Sequence, residues 1–200
     1  MNIFVLHENP KVAAEWHVDR HVVKMPLETA QMLCTARHEL GGTPEHIPYR
    51  KAFTNHPCTI WARQSRANYE WLCKLGKALC EEYTHRYGKV HKCQAVIEDC
   101  IHNPPSFNKE ELTMYAQAMD EEYKMENPIL AYRNYYQNGK SHLHDWKDRS
   151  KPYWITEVKD EIRQSDTSPT KYILELSREE TEKVKDLIQQ AIDRLKEEDE

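Results

Sequence analysis

No apolar run in the 200 residues approaches the length of a membrane span, and the start, MNIFVLHENPK, has neither a basic leader nor an apolar segment long enough for secretion. The chain is therefore expected in the cytoplasm, with no membrane partner. Cys-x-x-Cys pairs are missing as well. The six cysteines, Cys34, Cys58, Cys73, Cys80, Cys93 and Cys100, sit in stretches that read as helices and are predicted to be reduced, buried thiols. Internal repeats are absent, and so is the strongly basic footprint of many nucleic-acid binders. The net charge is −5, and residues 151–200 hold all of that excess, with 14 acidic against 9 basic side chains. All eleven histidines lie in the neutral remainder, which becomes cationic in mild acid or beside phosphate. What is present is a large apolar inventory, including five Trp and eleven Tyr, enough for one domain to fold without disulfides or metal.

The pattern is mainly α. Asn2 to Leu6 is a short apolar run, a strand or an extended lead-in. Asn9-Pro10 then supplies an N-cap and a first-turn proline for a helix running to about His38, stopped by Gly41-Gly42-Thr43-Pro44. A polar loop reaches Pro57. Helical spacing predicts a second long helix over Cys58–Tyr87 with Gly88 as its stop, and a third over Lys89–Ile101. After Pro104-Pro105 and a partly helical stretch, Asn127-Pro128 opens a helix with a tyrosine face that ends at Gly139. Residues 164–176 read as a linker. Ser177 and Glu180 form a capping box for a last amphipathic helix over 177–200, which packs on the domain or on a second copy as a homodimer. The expected organisation is a compact helical bundle over 1–163 with a C-terminal helical extension.

The chemistry is concentrated on the first helix. At about 100° per residue, His17, His21, Lys24, Glu28 and Gln31 fall within about 80° of arc, and apolar residues cover most of the remaining circumference. Pro26 lies opposite this stripe, although a mid-helix proline costs about 3 kcal/mol. A carboxylate beside an ammonium and imidazoles is a workable acid/base set. The bland alternative is a buried helix whose Lys24–Glu28 pair satisfies itself. His17 and His21 also have i,i+4 metal-ligand spacing, but no strong zinc motif completes the set, and no motif calls for a cofactor.

Other candidates surround that stripe. Asn55, His56 and Trp61 stand at the start of the second helix, where free N–H groups favour an anion. Arg86 and Lys89 near its end are candidate phosphate contacts. Tyr132, Arg133, Tyr136 and Lys140 lie in AYRNYYQNGK, and aromatics interleaved with cations suit base stacking and phosphate neutralisation. A packed aromatic face explains the tyrosines equally well.

The pattern HVVKMPLETAQML with NHPCTIWARQSRANYEWL resembles the phage pyrimidine-dimer DNA glycosylases, the endonuclease V family, and related phage proteins. His21 and Glu28 have that family's seven-residue spacing between a histidine and the catalytic glutamate. Glu82, Arg86 and Gly88 are similar to its long-helix ending, and YRNYYQNGK to its late aromatic-basic segment, so the resemblance spans roughly residues 2–140. It implies a mostly helical domain that cleaves an N-glycosidic bond at an extruded nucleotide, with Glu28 stabilising positive charge on the sugar and moving protons at its ring oxygen. The family's nucleophile is the α-amine of a small second residue. Here Asn2 is bulky, so Met1 is expected to stay, and the attacking group is the amine of Met1, that of Lys24, or water.

The leading expectation is a DNA- or nucleotide-acting N-glycosylase, with or without lyase activity, in phage DNA repair or base modification, working in the host cytoplasm. A metal-dependent nucleotide or phosphoester hydrolase using His17 and His21 is the second reading. A non-enzymatic nucleic-acid-binding module is the third.

Overall fold

The computed structural model describes residues 1–156, and within them the regular elements are helices with no strand. The linker at 164–176, the helix over 177–200 with its proposed dimer, and the 163 boundary lie outside the described residues. None of the described helices is long and apolar enough to cross a membrane. The elements are α1 (Pro10–Glu15), α2 (Asp19–Glu39), α3 (Pro57–Ala62), α4 (Arg66–Tyr87), α5 (Gln94–His102) and α6 (Pro128–Asn134), the last continued by a π-helical turn over Tyr135–Gly139.

The long helix expected from Pro10 to His38 is two helices. Asn9 caps α1, its side chain accepting from the Lys11 N–H at 2.9 Å, but the helix ends at Glu15 and α2 starts at Asp19. The break needs partners for the carbonyls it frees, and distant residues supply them. Arg86 donates to the carbonyls of Glu15 (3.0 Å) and His17 (2.9 Å), and the Trp146 indole donates to that of Trp16 (3.0 Å). A buried carbonyl without such a donor is costly, so residues from 86 and 146 decide where this helix stops. The second long helix is likewise divided. Ser65 caps α4 by accepting from the Asn68 N–H at 3.2 Å, and the Asn68 amide donates to the freed Trp61 carbonyl at 2.8 Å.

α4 is the spine of the bundle, with α1, α2 and α5 packed against it. Gly76 allows the closest approach, since a Cβ there would stand 2.7 Å from the Thr29 methyl on α2. The helix closes on Gly88 at φ 64°, a left-handed conformation that glycine adopts without penalty. α5 begins at Gln94 rather than Lys89, after a turn in which the His91 ring accepts from the Cys93 N–H. The stretch from Pro104 to Asn127 is irregular apart from one short turn at Glu121–Tyr123. All six cysteines are free and buried, as expected. Asn2 to Leu6 is a lead-in rather than a strand, turned at Phe4 by a φ of 31°, and it is buried along its whole length.

Candidate active site

The stripe on α2 is divided by depth. His17 falls in the break between α1 and α2, off the helix, and is completely buried. The solvent-facing strip is Arg20, Val23, Lys24 and Leu27, so the apolar cover expected around the helix is incomplete. His21 and Glu28 turn inward beside that strip, and Gln31 is half-buried. The reason is the N-terminal segment, which lies over this side of α2 and withdraws both side chains from water.

Glu28, 8% exposed, is the meeting point. Its Oε2 accepts the Asn2 backbone N–H at 2.9 Å and stands 3.6 Å from the Met1 ammonium. Its Oε1 lies 3.3 Å from the Lys24 ammonium, whose side chain is 69% exposed. The segment is held in this register by its own side chains. The Asn2 amide oxygen accepts from the N–H groups of Ile3 and Phe4, and its amide nitrogen donates to the Ala118 carbonyl at 2.7 Å. Ala118 is fixed in turn by Tyr132, whose hydroxyl accepts from the Ala118 N–H and donates to the Ala116 carbonyl. The Met1 side chain is 1% exposed, and Thr59 on α3 donates to its sulfur at 3.4 Å. Sequence reasoning missed Asn2, Phe4 and Thr59. The only signal was the apolar run itself, which says nothing of what it lies against.

His21 is positioned from both sides. Phe4 stacks on its ring at 4.3 Å between centroids, and Nδ1 shares a 2.5 Å hydrogen bond with the Tyr136 hydroxyl. Burial, helped by the charges of His17, Lys140, Lys24 and His142, lowers its pKa to about 3, and burial lowers that of His17 to about 4. Both rings are neutral at physiological pH. The His17 Nδ1–H donates to the Ala13 carbonyl at 2.6 Å, leaving Nε2 buried without a partner. His56 joins the group from the start of α3. Burial and then the Met1 ammonium lower its pKa, while Glu28 opposes them, and its Nδ1 accepts the Cys58 N–H as the helix cap.

These histidines set an acid limit on the fold. From pH 6.5 down to about 4 the unfolded chain takes up protons on His17 and His21 that the folded chain refuses, so stability falls with falling pH by up to roughly 1.4 kcal/mol per unit for each ring. Thermal melts between pH 7 and 4 should show this slope, and His17→Gln should remove about half of it. An unchanged slope in that variant would assign the acid sensitivity to other groups.

Several predicted site residues are placed elsewhere. Trp61, Tyr132 and Tyr136 are core side chains and present no face to a base. Arg86 is buried in ion pairs with Glu82 and Asp19, so it is no phosphate contact. Arg133 donates to the Leu6 carbonyl at 2.9 Å beneath the rings of Trp16 and Trp154, which makes it a strap. Lys140 lies over the Tyr135 ring and contributes to the field at His21, whereas Asn55 and Lys89 are exposed and no contact joins either to Glu28 among the described residues. Nor do the described residues hold any cluster of three His, Cys, Asp or Glu side chains suited to a metal, so His17 and His21 lack a third ligand.

No curated protein and no solved structure matches the chain. A family model does match over residues 1–95, and the aromatic-basic segment at 132–140 lies outside that stretch. The model is that of pyrimidine dimer DNA glycosylase, so the resemblance carried by Glu28 and its neighbours holds over residues 1–95 and supports a DNA glycosylase-type function.

Proposed function

We propose that this chain is a DNA N-glycosylase that cleaves the glycosidic bond of a damaged pyrimidine, with Glu28 as catalytic carboxylate and the Met1 α-amine as nucleophile. The observation that carries it is the placement of that amine 3.6 Å from a buried carboxylate, whose Oε2 also accepts the Asn2 N–H at 2.9 Å. The amine, once Glu28 has taken its proton, attacks the sugar's anomeric carbon. The glycosidic bond breaks, and its electron pair leaves with the base. The new secondary ammonium gives a proton to the departing base, and protonated Glu28 gives its own to the ring oxygen, so the ring opens to a protonated imine joining protein and DNA, with the restored carboxylate facing the positive charge at the former anomeric carbon. Hydrolysis of the imine, or elimination of the 3′ phosphate, completes turnover. Lys24 is the competing amine, but its ammonium stands in solvent, where nothing excludes water from the reaction.

The test is borohydride reduction on a duplex containing a single thymine dimer. A covalent adduct whose DNA-bearing peptide begins the chain supports the mechanism. An adduct on Lys24 moves the nucleophile, glycosidic cleavage without an adduct assigns water, and neither adduct nor cleavage overturns the glycosylase reading for this lesion.

A further inference from the structure

The loop between α2 and α3 presents one bulky side chain to solvent in a conformation that such residues avoid. Phe53 is 64% exposed at φ 50°, in the left-handed region where a Cβ crowds the following carbonyl. The strain is not absorbed by looseness, because each residue around it is tied. Thr35, buried on α2, both accepts from the Ala52 N–H (3.0 Å) and donates to the Ala52 carbonyl (3.2 Å). The Phe53 carbonyl accepts the His56 N–H at 2.9 Å, and Arg63 donates to the Thr54 carbonyl at 2.7 Å. A hydrophobic ring held outward on a rigid turn gains nothing for the fold, and strained residues persist where the surroundings over-determine them for another purpose. Two exposed cations, Arg50 and Lys51, lie three and two residues before it, Lys51 paired with Glu39 at 2.7 Å, and His56, whose ring feels the Met1 charge, follows three residues on.

We propose that Phe53 is a wedge: its ring enters the base stack of duplex DNA and fills the space left when a nucleotide is extruded at the lesion. This rests on the glycosylase reading above. Extrusion unstacks and unpairs a base, and an apolar side chain inserted at that step offsets the loss, as apolar wedges do in proteins that kink DNA. Arg50 and Lys51 would neutralise the phosphates beside the opened step.

The same thymine dimer supplied in a duplex and in a single strand separates the wedge from the chemistry, because only the duplex must be opened. Phe53→Ala should lower the ratio of duplex to single-strand rates by roughly 30-fold, and Phe53→Trp should keep most of that ratio. Phe53→Gly, which relieves the left-handed strain, should lower the ratio likewise while melting no lower than wild type. A ratio unchanged in Phe53→Ala overturns the wedge, as does a Phe53→Gly variant whose loss follows a lowered melting temperature. If wild type acts on neither substrate, the glycosylase reading fails for this lesion, and the wedge is decided by undamaged duplex containing 2-aminopurine. A fluorescence rise on binding that Phe53→Ala abolishes keeps it, and no rise with wild type overturns it.

Discussion

Glu28→Gln is expected to slow glycosidic cleavage in a thymine-dimer duplex by roughly a thousandfold, with little loss of stability. The amide can keep the structural contact, because its oxygen still accepts the Asn2 N–H now received by Oε2 at 2.9 Å. It cannot take a proton from the Met1 amine or oppose positive charge on the sugar. Its NH2 would also face an ammonium on the Lys24 side, where Oε1 now sits 3.3 Å from Nζ. The Lys24 pair is i,i+4 and largely in solvent, so its loss costs only about 0.3–0.5 kcal/mol. Single-turnover rates and melting temperatures on the same preparations check both halves. A rate within tenfold of wild type would remove Glu28 from the chemistry. A collapse of the melting temperature would make it a structural anchor for residues 1–4.

The wedge and the carboxylate differ in how far the sequence exposes them. Glu28 and His21 are legible because helical periodicity is a local property, and four residues of spacing place Lys24 beside Glu28 whatever the rest of the fold does. The caps at Asn9 and Asn127 and the stop at Gly88 are local in the same way, and all three stand. The break after Glu15 was not legible, because its carbonyl is satisfied by Arg86, and a donor that far along the chain leaves no trace in local pattern, whereas the break after Ala62 had a local signal in the Ser65 cap. The polar residues on aromatic or basic stretches misled for the same reason. Tyr132 and Tyr136 are spaced like a stacking surface and like a core face alike, and only the packing of Phe4 and His21 against Tyr136 decides between them. The Met1 amine was a candidate only through resemblance. Its place against Glu28 depends on Asn2 reaching Ala118, a contact across 116 residues.

Arg86 carries the largest expected effect on stability. Its Nε donates to Glu82 at 2.6 Å, Nη1 to the Asp19 carboxylate at 2.7 Å and the His17 carbonyl, and Nη2 to the Glu15 carbonyl, so one guanidinium closes the α1–α2 break onto α4. Arg86→Ala leaves two buried carbonyls and Asp19 without this donor, and should lower the unfolding free energy by about 3–5 kcal/mol in urea titrations at pH 7. Glu82 retains Arg149, which donates to it at 2.8 Å, so the loss stays below that of a bare buried charge. Arg86→Lys separates charge from geometry, since an ammonium cannot span Glu82 and both carbonyls at once, and it should recover less than half of the loss. The pH dependence has a fixed sign. Burial raises the Glu82 pKa, but hydrogen bonds from Arg149 and Arg86 outweigh it and leave it lowered, so the network contributes fully above the ordinary carboxylate range and fades as pH falls through the lowered value. The gap between wild type and Arg86→Ala should therefore narrow in strong acid. A lysine variant as stable as wild type would mean that the positive charge holds the break closed, and that the three-way fork on Glu15, His17 and Asp19 is incidental to it.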